Sequence, residues 1–266
     1  MKKILVLLFL IIGLFRAGSA QMVMKPVSIH PWVNGYWQYT PPTWNKTTKL
    51  PLVVYFHGLG DTYPKKTLQQ YSDIALPLKI KQSGMPFECI VFMPQLNRDW
   101  AGGGTIQNII DWAIKNYPVD TNRVYLTGLS MGGGSIMDWA EQGRVSSVAA
   151  MLPICPASWF TTRYSQPYID NNIPIRFYHA EDDDVVDPSS SKSWMDGLNN
   201  LGINPKVERV LYPTGGHNIW DKVYNDTDAW NWLFAQSKAK AKAVEAEFSF
   251  PGGKYILYSD KSWIKQ

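Results

Sequence analysis

Gly128-Leu129-Ser130-Met131-Gly132 forms a Gly-x-Ser-x-Gly pentapeptide. The pattern alone arises often by chance, and its setting gives it weight. The apolar run 123–126 reads as a strand ending just before it, and a helix opens near Gly132, followed by Gly133 and Gly134. In such a strand–turn–helix corner the flanking positions leave no space for side chains. Glycines there let the serine take up a strained backbone with its oxygen exposed. Ser130 is therefore placed as a nucleophile. A serine hydroxyl is weak in that role at neutral pH and needs a neighbouring base.

The chain has four histidines, and position along the chain separates them. His30 precedes the first core strand. His57 ends a strand within His57-Gly58-Leu59-Gly60, where it is expected to shape a loop. His179 ends the fifth strand, just ahead of a cluster of acids. His217 follows the sixth strand in Thr214-Gly215-Gly216-His217, and it alone lies downstream of both the serine and the acids, in the order nucleophile, acid, base. The acid should come from the loop after the fifth strand, where Glu181, Asp182, Asp183, Asp184 and Asp187 all stand. Most of a run of acids is a solvated face, and one member should turn inward to hold the imidazole tautomer. Two preorganised amides are needed for a developing oxyanion. Met131, directly after the nucleophile, supplies one, and Leu59 in the loop after the first core strand is placed to supply the other.

These residues need a frame. Apolar runs at 50–56, 87–93, 123–126, 147–154, 173–178 and 206–212 read as strands, the second stopped by Pro94. Helical spacing of Ile106, Ile109, Ile110, Ala113 and Ile114, with further helical patterns at 189–201 and 227–235, separates or follows them. Strands without period-two alternation, interleaved with helices, predict a mostly parallel central sheet covered on both faces. In such sheets ligands bind at the carboxyl ends of the strands. Trp37-Gln38-Tyr39-Thr40 reads as a leading edge strand. A Lys/Ala-rich stretch at 239–246 leads into a terminal β-hairpin from Phe248-Ser249-Phe250, a turn at Pro251-Gly252-Gly253, and residues 255–258.

Residues 1–20 have a basic start (Lys2, Lys3), an apolar run and the small Gly18-Ser19-Ala20, the layout of a secretory signal. The apolar run is shorter than the roughly 20 residues of a spanning helix. The expected organisation is a signal peptide at 1–20, a catalytic domain at 21–237 and a tail at 238–266, with the product secreted or periplasmic and not stably inserted in a membrane. Lys2, Lys3 and Arg16 account for three of the 26 basic residues, leaving 23 against 22 acidic ones. That balance gives no electrostatic footprint for nucleic acid. Cys89 and Cys155, the two cysteines, are expected to be buried, unpaired thiols. No metal-ligand spacing or nucleotide fingerprint appears, so neither cofactor nor metal is expected.

Over residues 36–234 the sequence resembles the α/β-hydrolase esterases related to polyhydroxybutyrate depolymerases, feruloyl and acetylxylan esterases and predicted peptidases of bacteria. The matching stretches are 50–60, Phe92-Met93-Pro94-Gln95 through Trp100, 120–134, 179–188 and 211–224. The Asp-x-x-Arg-x-Tyr-x-x-Gly-x-Ser-x-Gly-Gly segment from Asp120 is especially typical. The resemblance implies the α/β-hydrolase fold and a Ser-His-Asp triad. In the family's His-Gly-x-x-Asp-x-x-Val-Pro pattern the aspartate stands four after the histidine, which falls on Asp183. Ala180 replaces that glycine and Asp187 a common proline, which keeps Asp184 and Asp187 as alternatives. The implied activity is cleavage of a carboxylic ester through an acyl-enzyme.

Among the 12 tryptophans, Trp100, Trp159 and Trp220 follow strands or His217 and are expected near the carboxyl edge. There indoles stack on sugar rings or a phenolic acyl group, or simply wall the pocket. The expected substrate is a small-molecule or polysaccharide ester, with acylated carbohydrate (feruloyl or acetyl esters) the favoured kind. Two other readings share the same residues: a peptidase like prolyl oligopeptidase, and a catalytically silent carbohydrate-binding relative.

Overall fold

A computed structural model describes residues 21–141, 144–204 and 207–238, and the backbone of three strands within 244–265. Eight strands form the central sheet: β1 (Gln21–Lys25), β2 (Val33–Thr40), β3 (Leu50–Phe56), β4 (Ile90–Leu96), β5 (Val119–Leu129), β6 (Ala150–Ile154), β7 (Arg176–Ala180) and β8 (Glu208–Tyr212). Their order is β1-β2-β4-β3-β5-β6-β7-β8. From β4 across to β8 all neighbours are parallel, while β1 and β2 add antiparallel strands at one edge. This is the mostly parallel sheet expected from the apolar runs.

Every residue of β3 and of β4 is buried. Side chains alternate across a strand, and β3 shows where they go. Leu52, Val54 and Phe56 enter one core cluster, with Ile106, Ile109 and Ile110 of α3 (Gly103–Asn116), Ile136 of α4 (Met131–Asp138), Tyr168 of α5 (Thr162–Asn171) and Trp194 of α6 (Ser189–Asn200). Val53 and Tyr55 enter a second cluster, with Tyr71 of α1 (Leu68–Tyr71), Ile80 of α2 (Ala75–Ser83), Val223 of α7 (Trp220–Asn225) and Trp230 of α8 (Thr227–Phe234). Helices thus cover both faces, and each large apolar side chain buried this way contributes about 1.5–3 kcal/mol.

The second core strand differs from the sequence expectation. It runs three residues later and continues through Pro94 instead of stopping before it. The rungs joining β4 to β3 end at Phe92, so the N–H that Pro94 lacks breaks no bond with that neighbour. Cys89 and Cys155 are buried free thiols, and β4 and β6, which they flank, are separated by two strands.

At the C-terminus β9 (Val244–Phe250) and β10 (Gly253–Tyr258) pair antiparallel in the expected hairpin, and β11 (Trp263–Lys265) adds a third strand to this separate sheet. Residues 1–20, expected to form a signal peptide, the Lys/Ala-rich 239–243 and residues 251–252 of the expected turn lie outside the described residues. No helix among the described residues is long and apolar enough to cross a membrane.

Candidate active site

Ser130 sits between the end of β5 and the start of α4 with φ 51° and ψ −117°. A non-glycine residue at positive φ carries strain, which persists only where its surroundings hold it. Here the Ser130 amide donates to the Ile154 carbonyl at 2.9 Å, while its own carbonyl accepts from Gly134 at 2.9 Å and Ala157 at 3.0 Å. These bonds tie the corner to β6 and the loop beyond it. The packing is equally tight, since a Cβ on Gly132 would meet the Phe56 carbonyl oxygen at 2.2 Å.

His217 reaches this corner from the loop after β8. Its Nε2 lies 2.9 Å from Ser130 Oγ and its Nδ1 2.8 Å from Asp183 Oδ2. A carboxylate can only accept, so Nδ1 carries the hydrogen and the Nε2 lone pair faces the serine hydroxyl. The loop is pinned from behind: the Gly216 amide donates to Asp182 Oδ1 at 2.7 Å. On its flank the Trp220 indole stands edge-on to the imidazole, with ring centroids 5.6 Å apart.

Asp183 is the acid that the fold turns inward. Its side chain is fully buried, and its Oδ1 accepts from the Val185 and Val186 amides at 2.9 Å each. Burial pushes its pKa up, but the hydrogen bonds from His217 and from the Val186 and Val185 amides outweigh that, and the carboxyl lies below its ordinary value. The alternatives are turned elsewhere. Asp184 is exposed, and Asp187 accepts from the Ser189 amide at 2.7 Å just ahead of α6.

The two amides expected to face an oxyanion both open helical turns. Met131 is the first residue of α4 and Leu59 the first of a 3₁₀ turn, Leu59–Asp61. Opening N–H groups have no acceptor within their own helix. The Gly58 carbonyl accepts from His57 Nδ1 at 2.7 Å and from the Asp61 amide at 3.1 Å. In a trans peptide C=O and N–H point opposite ways, so these bonds turn the Leu59 N–H away from His57. His57 Nε2 accepts from the Leu96 amide at 2.9 Å, and burial pushes its pKa down. A neutral ring thus braces the loop it was expected to shape.

No family model matches the sequence. A protein of Acanthamoeba polyphaga mimivirus described as an alpha/beta hydrolase is 28% identical over 134 residues, 45% of this chain and 49% of that protein. The structure of a thermostable esterase aligns with a TM-score of 0.64 at 26% identity, covering 82% of this chain and 63% of the other. The chain has the α/β-hydrolase fold. A feruloyl esterase module from Clostridium thermocellum, complexed with sinapinate, has the same fold at 13% identity, with a TM-score of 0.60 over 82% of this chain and 89% of the module. The chain spans less than two thirds of the length of the mimivirus protein and of the thermostable esterase.

The three tryptophans of this chain occupy different settings. Trp100 has φ 72°, its amide lies 3.2 Å from Met131 Sδ, and a Cβ on Gly134 would meet its Cη2 at 2.7 Å. Its indole therefore lies along α4 beside the elbow. Trp159 is 49% exposed, with its Nε1 3.3 Å from Ser189 Oγ. Trp220 is buried and backs His217, which gives it a wall position rather than an open stacking face.

One residue at the site was not singled out for it by the sequence. His179, fully buried, places Nε2 3.1 Å from Asp183 Oδ2. Its spacing four before the aspartate was the available signal. Among the described residues, Cys155, Asp183 and His217 hold potential metal-ligand atoms within 4.8 Å of one another. Asp183 and His217 are hydrogen-bonded to each other, and burial pushes the Cys155 thiol up. A protonated thiol is not the ligand form, so this set is poorly suited to a cation.

Proposed function

We propose that the protein is a serine hydrolase that cleaves carboxylic esters through Ser130, His217 and Asp183. One observation carries this reading: an imidazole 2.9 Å from the hydroxyl of a strained corner serine and 2.8 Å from a buried carboxylate. Those are the distances a general base and its orienting acid require.

In the reaction, His217 Nε2 takes the Ser130 proton as Oγ bonds to the ester carbonyl carbon. The oxyanion accepts hydrogen bonds from the Leu59 and Met131 amides, and Asp183 holds the imidazolium. The C–O bond to the alcohol then breaks, the leaving oxygen takes the proton from Nε2, and an acyl-serine remains. Water next gives a proton to Nε2 and attacks the acyl carbon, and Ser130 leaves with that proton as the acid departs.

The substrate class belongs to the same proposal. The half-exposed Trp159 and the Trp100 indole beside the elbow favour an acyl or sugar group with a flat face. The near balance of 23 bases and 22 acids outside residues 1–20 favours a neutral substrate. The leader pattern in those residues supports export, to the periplasm or the medium. Acylated carbohydrate, with feruloyl or acetyl esters, fits these features.

The test is a fluorophosphonate probe applied at pH 7.5 and pH 5, with the adduct mapped by mass spectrometry. Labelling at Ser130 that weakens in acid is expected, and folded protein that takes no label would overturn the reading. Feruloyl and acetylated xylan esters should turn over faster than p-nitrophenyl acetate. Equal rates would remove the carbohydrate assignment and leave the esterase.

A further inference from the structure

His179 has no place in the steps above, yet it shares an oxygen with them. Asp183 Oδ2 faces His217 Nδ1 at 2.8 Å and His179 Nε2 at 3.1 Å. His179 Nε2 also lies 3.0 Å from the Val186 carbonyl. Both its neighbours are acceptors, so Nε2 must carry a hydrogen. The other ring nitrogen, Nδ1, lies 2.9 Å from Ser191 Oγ of α6. That hydroxyl in turn receives Arg209 Nε of β8 at 2.9 Å and lies 3.2 Å from the Pro188 carbonyl. An ordered chain therefore runs Ser130–His217–Asp183–His179–Ser191–Arg209, spanning the corner after β5, β7, β8, α6 and the loops after β7 and β8.

We propose that His179 is a positioning residue that donates to the same Asp183 oxygen as His217 and so sets how strongly that carboxylate holds the His217 proton. The inference rests on the serine-hydrolase reading. A carboxylate oxygen with two donors spreads its charge between them, and each donor is bound less strongly than it would be alone. With His179 in place, Asp183 stabilises the imidazolium of His217 less than it would with a single imidazole donor, and removing His179 strengthens that hold. Burial pushes the His179 pKa down, which favours a neutral ring whose Nδ1 takes the one Ser191 hydroxyl hydrogen at 2.9 Å in place of the Pro188 carbonyl at 3.2 Å.

The charged and titratable groups around the pair fit this assignment. His179 faces Asp183 and Asp187 from the loop after β7 and Arg209 from β8. His217 faces Asp183, Ser130 and the Cys155 thiol, whose Sγ lies 3.6 Å from the His217 carbonyl. Arg209, reaching Ser191, disfavours a second positive charge on His179.

The experiment compares the acid limb of kcat/KM for wild type, His179→Gln, His179→Met and His179→Asn. Glutamine can present an N–H where Nε2 stands, methionine cannot, and asparagine presents its amide at the Ser191 end. The Met and Asn variants should move the acid limb up by about half a pH unit, the size expected from loss of one hydrogen bond. The Gln variant should keep the wild-type limb. The His217 ring is titrated in parallel by NMR in each variant that folds, and it should shift in the same direction.

A structural role alone would lower activity equally at every pH, so coincident limbs and coincident His217 titrations would overturn the inference. Wild type without Ser130 labelling would instead overturn the hydrolase reading beneath it. If Met does not fold, the Asn variant and the Gln control still decide the matter.

Discussion

A Cβ on Gly132 would stand 2.2 Å from the carbonyl oxygen of Phe56 and 2.6 Å from that of His57. Helix α4 thus leaves the nucleophile corner in direct contact with the end of β3, and the contact is backbone against backbone. No side chain can rotate away to relieve it. Gly132→Ala should therefore displace the corner, at about 1–3 kcal/mol for overpacking, and abolish probe labelling of Ser130. Thermal melting and labelling together check this. Wild-type melting with wild-type labelling would mean that the strand end yields and the contact is unimportant.

Asp183 accepts from four donors, the Val185 and Val186 amides and the two imidazoles. Asp183→Asn removes the charge and places an amide where only acceptors fit. The expected loss in kcat is about 10⁴-fold, the size seen when a triad aspartate becomes asparagine. Asp184→Asn should leave kcat within a few-fold of wild type. Asp187→Asn should do the same, because Asp187 is engaged with the Ser189 amide and not with His217. A larger loss from either than from Asp183→Asn would reassign the acid.

His57 and His179 are buried and their pKa values lie below the ordinary 6.5, in both cases mainly because burial disfavours the charged ring. In this situation the unfolded chain binds protons that the folded chain does not, so stability rises with pH across the interval and falls on acidification. Below pH 6.5 each ring that stays neutral should cost about 1.4 kcal/mol per pH unit. The loss ends for each ring once the pH passes its folded pKa. Urea unfolding at pH 7.5 and pH 5.5 measures this, and a midpoint that holds or rises at the lower pH would contradict it.

Much of this frame was legible because burial on two faces writes long apolar runs into β3, β4, β5 and β6. The corner was legible because its close approach demands glycine. Other features leave no such trace. Edge strand β1 pairs along one side only, with β2, and its three apolar residues, Met22, Val23 and Met24, are too short a run to read as a strand. Pro94 misled because a proline's tolerance depends on which neighbour needs its N–H. The acid loop offered five carboxylates in seven positions, and composition cannot say which one meets the Val185 and Val186 amides. His179 stayed hidden for a related reason, since sharing one carboxylate oxygen is a fact of three dimensions.

Trp220 and Trp159 should separate when each is changed to alanine. Trp220 is buried, and its ring stands at 89° to the His217 imidazole. Removing it frees the imidazole to rotate away from Ser130 and should lower kcat for every ester alike, with Trp220→Phe restoring much of the rate. Trp159 is 49% exposed and touches none of Ser130, His217 or Asp183 through a hydrogen bond. Its removal should raise KM for esters with an aromatic acyl group or a sugar alcohol and leave p-nitrophenyl acetate unchanged. Steady-state kinetics on those two substrate types provides the comparison. If Trp159→Ala slows p-nitrophenyl acetate as much as the bulky esters, its indole supports the loop after β6 and does not receive substrate.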